Sequence, residues 1–315
     1  MVPILATVVL ILLSILAISL FTYRGLFHPT FKDTEYTKRS GLEKGEFDDA
    51  FLSLPWQRLS LESRFGYRVE GSYLAGASPR APTALFVHGI TWTRFGMYKY
   101  MRPFARRGWN VAAIDLAGHG ETKAPRKYGP SFGYYEKFDI ASTVGELGRL
   151  FPESPMLGLV GESLGAASAL QYAGLGVSRR DEPVRFVIAD CPFTSIAEEM
   201  DARLDMMGLP RFLRRPVIRC VSLFSKAARG FRLEDASPLR AAVSSEMPIF
   251  LIHGMEDRYV PFSMSVKIYN ERIKAGKAAT GLLLVPGARH AKSLMTDPEL
   301  WEAKVFDFIG EHANP

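Results

Sequence analysis

The chain has few cysteines, no histidine spacing typical of metal sites and no large excess of either charge. Its 315 residues include two cysteines, Cys191 and Cys220, too few for a disulfide framework, so free thiols are expected. Basic residues number 39 and acidic residues 33, a net charge of +6, and no basic-aromatic cluster indicates nucleic-acid binding. Without His-x-x-x-His spacing, or Gly-x-Gly-x-x-Gly after a strand, we expect neither a metal nor a cofactor.

Charged residues are also absent from the stretch Ile4 to Phe21, which is long and apolar enough to approach the span of a bilayer core. We predict that residues 1–23 form a transmembrane helix or signal anchor. A cleaved signal peptide is the alternative, although no lysine or arginine precedes the apolar run. Basic residues follow the span, which favours a cytoplasmic catalytic domain over a periplasmic or extracellular one. These residues are Arg24, Lys32, Lys38 and Arg39.

Short apolar segments alternate with helical patterns over most of the chain, which predicts a mostly parallel, doubly wound sheet. We divide the chain into a linker or helical stalk at 24–54 and a catalytic domain at 55–315. Residues 194–245 are too long for a simple crossover and predict a helical lid. Basic side chains of this lid would either meet anionic headgroups or an acidic substrate, or form an ordinary solvated face. They are Arg214, Arg215, Arg219, Lys226 and Arg229.

One serine lies in a pattern typical of a nucleophile. The segment Gly161-Glu162-Ser163-Leu164-Gly165 follows the apolar run Met156 to Val160 and precedes a predicted helix. A serine on such a strand-turn-helix elbow presents its hydroxyl at the edge of the sheet. The pattern alone is common, so it needs partners.

Two partners follow in the order Ser, Asp, His. Asp257 comes just after the apolar strand that ends at Ile252, and His290 just after the strand that ends at Val285. Glu256 and Asp190 are the alternative acids. With His88-Gly89-Ile90-Thr91, Asp115 to Gly120 and the His253 to Pro261 segment, the chain resembles the α/β-hydrolase superfamily. It is most similar to membrane-anchored bacterial serine hydrolases related to carboxylesterase-like and prolyl-oligopeptidase-like members.

This resemblance implies an α/β-hydrolase fold and a role for each motif. Ser163 would be the nucleophile, His290 the general base and Asp257 the residue that orients the base. The backbone N–H groups of Ile90 and Leu164 would form the oxyanion hole. The remaining strand-end and turn histidines, His88, His119 and His253, are expected to be structural.

The residues after the oxyanion loop are candidates for contact with substrate. Trp92, Phe95 and Tyr98 would either line an acyl pocket or pack beneath the lid. A lid and a membrane anchor favour a small-molecule acyl substrate, an ester or thioester cleaved in carboxylesterase-like or lipase-like fashion. The alternatives are a serine aminopeptidase or oligopeptidase, an acyltransferase with the same three residues, and a catalytically silent membrane scaffold.

Overall fold

The computed structural model of the chain describes residues 2–176 and 184–313. Within these residues the strands form one sheet in the spatial order first, second, fourth, third, fifth, sixth, seventh and eighth. The first two pairings in that order are antiparallel and the others are parallel, which confirms the expectation of a mostly parallel sheet. The strands are β1 (Gln57–Glu62), β2 (Arg68–Leu74), β3 (Thr83–Val87), β4 (Asn110–Ile114), β5 (Leu157–Glu162), β6 (Val184–Asp190), β7 (Ile249–Gly254) and β8 (Thr280–Val285).

Helices cover both faces of this sheet. In chain order they are α1 (Val2–Phe27), α2 (Thr34–Glu43), α3 (Asp49–Leu52), α4 (Tyr98–Ala105), α5 (Glu136–Leu150), α6 (Leu164–Ala173), α7 (Ile196–Met206), α8 (Arg211–Arg229), α9 (Pro238–Ser244), α10 (Ser263–Lys274), α11 (Ser293–Thr296) and α12 (Pro298–His312). Single 3₁₀ turns occupy Arg94–Met97 and Leu233–Asp235.

The central strands are apolar on both sides because each face of the sheet is covered. In β3, Leu85 and Val87 join a core that includes α5, α6 and α10, whereas Ala84 and Phe86 join the core beneath α4 and α12. Successive side chains of a strand point to opposite faces, so a continuous apolar run is the expected pattern for a strand buried twice. The parallel strands end at one edge, where the loops that follow β3, β5, β7 and β8 meet.

The lid is smaller than the predicted insertion at 194–245. Helices α7 and α8 pack against each other, but α9 returns to the body of the domain, where Ala242 belongs to the core beside α6. Arg229 does not face solvent or lipid headgroups, because it is buried and donates hydrogen bonds to the carbonyls of Phe27 and Gly129. Arg214 is paired with aspartates of α7, so only part of the basic face is exposed.

The segment 24–54, predicted to be a linker or helical stalk, packs against the domain that follows it. Phe47 is buried against the domain, and the hydroxyls of Thr37 and Thr93 are 2.6 Å apart. The amide of Lys32 donates to the carbonyl of Thr91 at 2.9 Å. Sequence periodicity missed this docking because the buried residues are too few and too widely spaced to mark a helix face.

Helix α1 has a free half and a packed half. Its 25 residues Pro3–Phe27 are long and apolar enough to cross a membrane. The first half is exposed, whereas Ser19, Leu26 and Phe27 are buried against the catalytic domain. Helix α1 therefore continues several residues past the predicted boundary at 23, and its last turn is part of the folded domain.

Candidate active site

Ser163 occupies a strained turn between β5 and α6. Its backbone angles are φ 53° and ψ −110°, in a region that residues with a side chain rarely adopt. The turn closes because Gly165 lacks a side chain: a Cβ there would overlap the carbonyl oxygen of Val87. The Ser163 amide is held by the carbonyl of Asp190 at 2.8 Å. Packing between helix and sheet thus forces the serine side chain outward at the strand edge.

A chain of hydrogen bonds joins the three side chains expected from the sequence. Nε2 of His290 lies 3.1 Å from Oγ of Ser163, and Nδ1 of His290 lies 2.6 Å from Oδ2 of Asp257. The Asp257 side chain is fully buried, whereas His290 is about a quarter exposed (23%) and accessible to a ligand. An imidazole held in this way can take the proton of a serine hydroxyl as that hydroxyl attacks a carbonyl carbon.

Asp257 is held as a carboxylate. Burial alone would raise the pKa of Asp257, but hydrogen bonds from His253, His290 and the amide of Val260 lower it below its ordinary value. The amides of Tyr259 and Val260 bond Oδ1 at 2.8 and 2.9 Å. The second oxygen, Oδ2, is shared between His290 and His253.

His253 makes contacts that the sequence did not predict. We expected a structural histidine bonded to nearby backbone, and it does bond the carbonyl of Val260 at 3.0 Å. Its Nε2 also lies 3.1 Å from Oδ2 of Asp257, and its Nδ1 lies 2.7 Å from Oγ of Ser265. Because Nε2 faces two acceptors, it carries the proton, and Nδ1 accepts from the serine. The spacing of four between His253 and Asp257 was the available signal.

Two backbone amides are free at the position expected for an oxyanion hole. Among the described residues, neither Ile90 nor Leu164 donates its N–H to another protein group. A Cβ added to Gly89 would lie 3.5 Å from Cβ of Ser163, so the loop after β3 reaches the elbow closely. An oxygen bound beside Ser163 would therefore find unpaired donors on either side.

Neutral histidines shape the loop that carries Ile90. The amide of Leu116 donates to Nε2 of His88 at 3.0 Å, and the amide of Thr91 donates to Nε2 of His119 at 3.2 Å. Burial lowers the pKa of His88 to about 4 and that of His119 to about 3. Both rings are therefore uncharged at neutral pH and act as fixed acceptors, in keeping with the structural role expected for them.

Backbone strain is concentrated around the same three side chains. Thr91, Cys191 and Ala291 have φ of 68°, 48° and 58°, respectively. Thr91 and Ala291 line a cavity with Ser163, and Sγ of Cys191 lies 4.0 Å from Nε2 of His290. Such conformations cost about 1–3 kcal/mol each and persist where the surrounding fold imposes them.

The donor atoms of Cys191, Asp257 and His290 lie within 4.8 Å of one another, close enough to consider a metal. However, His290 and Asp257 already share a hydrogen bond, and burial raises the pKa of the Cys191 thiol, which disfavours the thiolate that a metal would bind. The arrangement therefore fits proton transfer between Ser163 and His290 better than metal ligation.

A cavity of about 280 Å³ opens at Ser163 and His290, and its walls carry charge. Nζ of Lys99 lies 2.6 Å from a carboxylate oxygen of Glu162, and both side chains are buried. At the rim, Nζ of Lys292 lies 2.5 Å from a carboxylate oxygen of Glu46. Lys44 also lines this cavity.

The three aromatic residues expected to touch substrate are divided between two places. Trp92 lines the charged cavity at Ser163, with the ammonium of Lys44 at 5.1 Å from its ring centre. Phe95 and Tyr98 instead pack against each other and line a different cavity with Trp56, which stacks on Tyr98, so the structure does not bring them to Ser163. The 3₁₀ turn at Arg94–Met97 turns the chain away from the site, which the helical pattern did not predict.

Helix α7, which lies in the predicted lid, reaches the site. Glu199 and Arg203 line a second, smaller cavity that includes Ser163. The Arg203 guanidinium lies 3.7 Å from the ring centre of Tyr259, and the Tyr259 and His290 rings are 4.9 Å apart. A movement of α7 would therefore change the surroundings of the base directly.

The chain is similar to several known proteins. A model of the alpha/beta hydrolase family matches residues 84–303. The uncharacterised protein YqkD of Bacillus subtilis is 28% identical over 290 residues, which are 92% of this chain and 90% of that protein. The lysophosphatidylserine lipase ABHD12 of Xenopus tropicalis is 24% identical over 73% of this chain and 58% of its own length. An esterase of Pyrococcus furiosus superposes with a TM-score of 0.66 at 22% identity, covering 85% of this chain and 95% of the esterase.

Proposed function

This chain belongs to the alpha/beta hydrolase family, and we propose that it is a membrane-anchored serine hydrolase that cleaves a carboxylic ester or thioester. The observation that carries the proposal is the unbroken hydrogen-bonded chain from Ser163 through His290 to Asp257, beside two unpaired backbone amides. A protein that kept the fold only for binding would have no need of all these parts together.

In the proposed reaction, Oγ of Ser163 forms a bond to the substrate carbonyl carbon while its proton passes to Nε2 of His290. The carbonyl oxygen becomes an oxyanion and accepts hydrogen bonds from the amides of Ile90 and Leu164. The bond to the leaving oxygen or sulfur then breaks, and His290 returns the proton to the leaving group. Water attacks the acyl-enzyme by the same steps, releasing the acid and restoring Ser163.

Asp257 acts through His290 in this scheme. Its negative charge stabilises the imidazolium that forms when the serine proton is taken up, and its hydrogen bond fixes the tautomer that leaves Nε2 free to accept. Its lowered pKa supports this role, because the carboxylate remains ionised throughout the pH range in which the enzyme would work.

An apolar acyl substrate is favoured by the setting of the site. The P. furiosus esterase has the same fold, and the relative named as a lysophosphatidylserine lipase extends the comparison to a lipid hydrolase. A retained anchor rather than a cleaved signal is supported by Ser19, because this residue is buried and cleavage after it would remove it from the folded domain. The basic residues after α1 favour a cytoplasmic catalytic domain.

The proposal is tested with detergent-solubilised protein on matched p-nitrophenyl esters, acyl thioesters and peptide p-nitroanilides. We expect ester and thioester cleavage that is lost in Ser163→Ala, with Ser168→Ala as the matched control for serine removal. Ser168 lies on α6, and within residues 2–176 and 184–313 its hydroxyl donates to the carbonyl of Leu164 alone. Preference for the peptide anilides would contradict the substrate class, and cleavage undiminished in Ser163→Ala would contradict the nucleophile.

A further inference from the structure

Ser163 lies between two cavities of different character. The charged cavity described above is on one side, and the other is a cavity of about 50 Å³ lined mainly by apolar side chains, with Glu199 and Arg203 as its charged members. Ile90, Thr91, Ser163 and Tyr259 line both. An ester whose carbonyl is bound at Ser163 would therefore have one arm in polar surroundings and the other in apolar surroundings.

The last turn of the apolar helix α1 forms part of the wall of the smaller cavity. Gly25 and Leu26 of this turn line it, together with Pro29 just after the helix and with Phe132 and Phe193. The position of this turn is fixed, because Phe27 is buried and its carbonyl accepts a hydrogen bond from Arg229 at 3.0 Å. The helix that would anchor the protein is thus also a wall of the space beside the nucleophile.

The wall is open at Gly25. A Cβ at this position would meet no atom within 4 Å, and the residue is exposed. The enclosed part of the cavity has room for roughly four water molecules, which is enough for only the first few carbons of an acyl group. A longer chain has to leave the cavity at its mouth.

This mouth lies beside the last turn of α1. If α1 spans a bilayer, about 20 residues cross the hydrocarbon core, so Gly25 lies near the polar boundary of the leaflet. Arg24 and the aromatic ring of Tyr23 are adjacent, as is typical of residues at that boundary. A chain that leaves the site past Gly25 would therefore pass into lipid.

We propose that the substrate is a membrane-resident acyl ester whose chain reaches Ser163 along the last turn of α1, past Gly25 and against Leu26. The polar part of the substrate occupies the charged cavity. This inference rests on the proposed hydrolase function and adds a second role for α1, which binds the acyl chain as well as anchoring the protein.

The test places a side chain in the mouth without disturbing packed residues. Gly25→Phe is compared with Gly148→Phe, a matched change on the exposed face of α5 where a Cβ also meets nothing within 4 Å. The kcat/KM of each purified protein is measured in micelles for p-nitrophenyl esters from acetate to palmitate. We expect the laurate-to-acetate ratio to fall at least tenfold in Gly25→Phe and to stay at the wild-type value in Gly148→Phe.

A wild-type ratio in Gly25→Phe would overturn the inference while leaving the hydrolase proposal standing. If that variant does not fold, Gly25→Leu is the milder version, because leucine favours helix more than glycine does. It should lower the same ratio by a smaller factor, and an unchanged ratio would again overturn the inference. A wild type that cleaves no ester and no thioester of any length would instead refute the proposed function, and this inference with it.

Discussion

Replacement of His253 by leucine should slow the reaction without removing any of the three residues that carry it. His253 donates from Nε2 to Oδ2 of Asp257, the oxygen that also accepts from His290. A hydrogen bond to a charged group is worth about 1.5–3 kcal/mol. Each 1.36 kcal/mol corresponds to a tenfold change in rate, so full loss predicts a fall of about 10- to 150-fold in kcat. Three other donors remain on Asp257, which places the expected value in the lower half of that range.

The assay is steady-state hydrolysis of a short p-nitrophenyl ester, with folding checked by thermal unfolding. KM should change little, because His253 is buried and lines neither cavity at Ser163. His253→Gln is the rescue variant, since its terminal amide can occupy the position of Nε2, and it should recover most of the lost rate. Ser265→Ala removes the hydrogen bond to Nδ1, on the side of the ring away from Asp257, and should lower kcat less than His253→Leu does. A folded His253→Leu protein with wild-type kcat would refute the reasoning.

Three further predictions concern buried charges. Asp257→Asn should lower kcat by about 10⁴-fold, because the amide no longer stabilises the protonated base or its tautomer, and a kinetic loss below tenfold would contradict that role. Lys99→Met should reduce the free energy of unfolding by about 3–5 kcal/mol in denaturant titrations, since it strands the buried Glu162 carboxylate, and adding Glu162→Gln should restore most of the loss. Burial raises the pKa of Asp139 to about 6, so the folded state binds this proton more tightly than the unfolded state. As the pH rises from about 4 to 6, the contribution of Asp139 should therefore lower the free energy of unfolding by roughly 3 kcal/mol. Denaturant titrations across this pH range should show a smaller decrease in Asp139→Asn.

The parallel core of the fold was predictable because its strands are buried on both faces. The apolar run Met156 to Val160 differs from β5 by one residue at its start and two at its end, and the predicted strand end at Val285 matches the end of β8. Helix α10 was not predicted. Its buried residues include Arg272, which donates to three backbone carbonyls. A charged residue thus occupies a core position, which interrupts the apolar periodicity that predicts a helix.

At the site, the sequence predicted those residues that directly follow the ends of strands. Ser163, Asp257 and His290 each follow a strand of one parallel sheet, so their meeting at one edge is a consequence of topology. The residues around these three side chains come from segments that are distant in sequence. Local periodicity does not predict which of those segments come into contact. Phe95 and Tyr98 turn away from the site, and the last turn of α1 packs beside it.

The central claim is that Ser163 is a nucleophile activated by His290. The most direct measurement is labelling of the detergent-solubilised wild type with a fluorophosphonate probe, followed by mass spectrometry to locate the adduct. We expect one adduct, on Ser163, that is absent in Ser163→Ala and forms much more slowly in His290→Ala. A folded wild type that is not labelled, or a label that persists in Ser163→Ala, would contradict it.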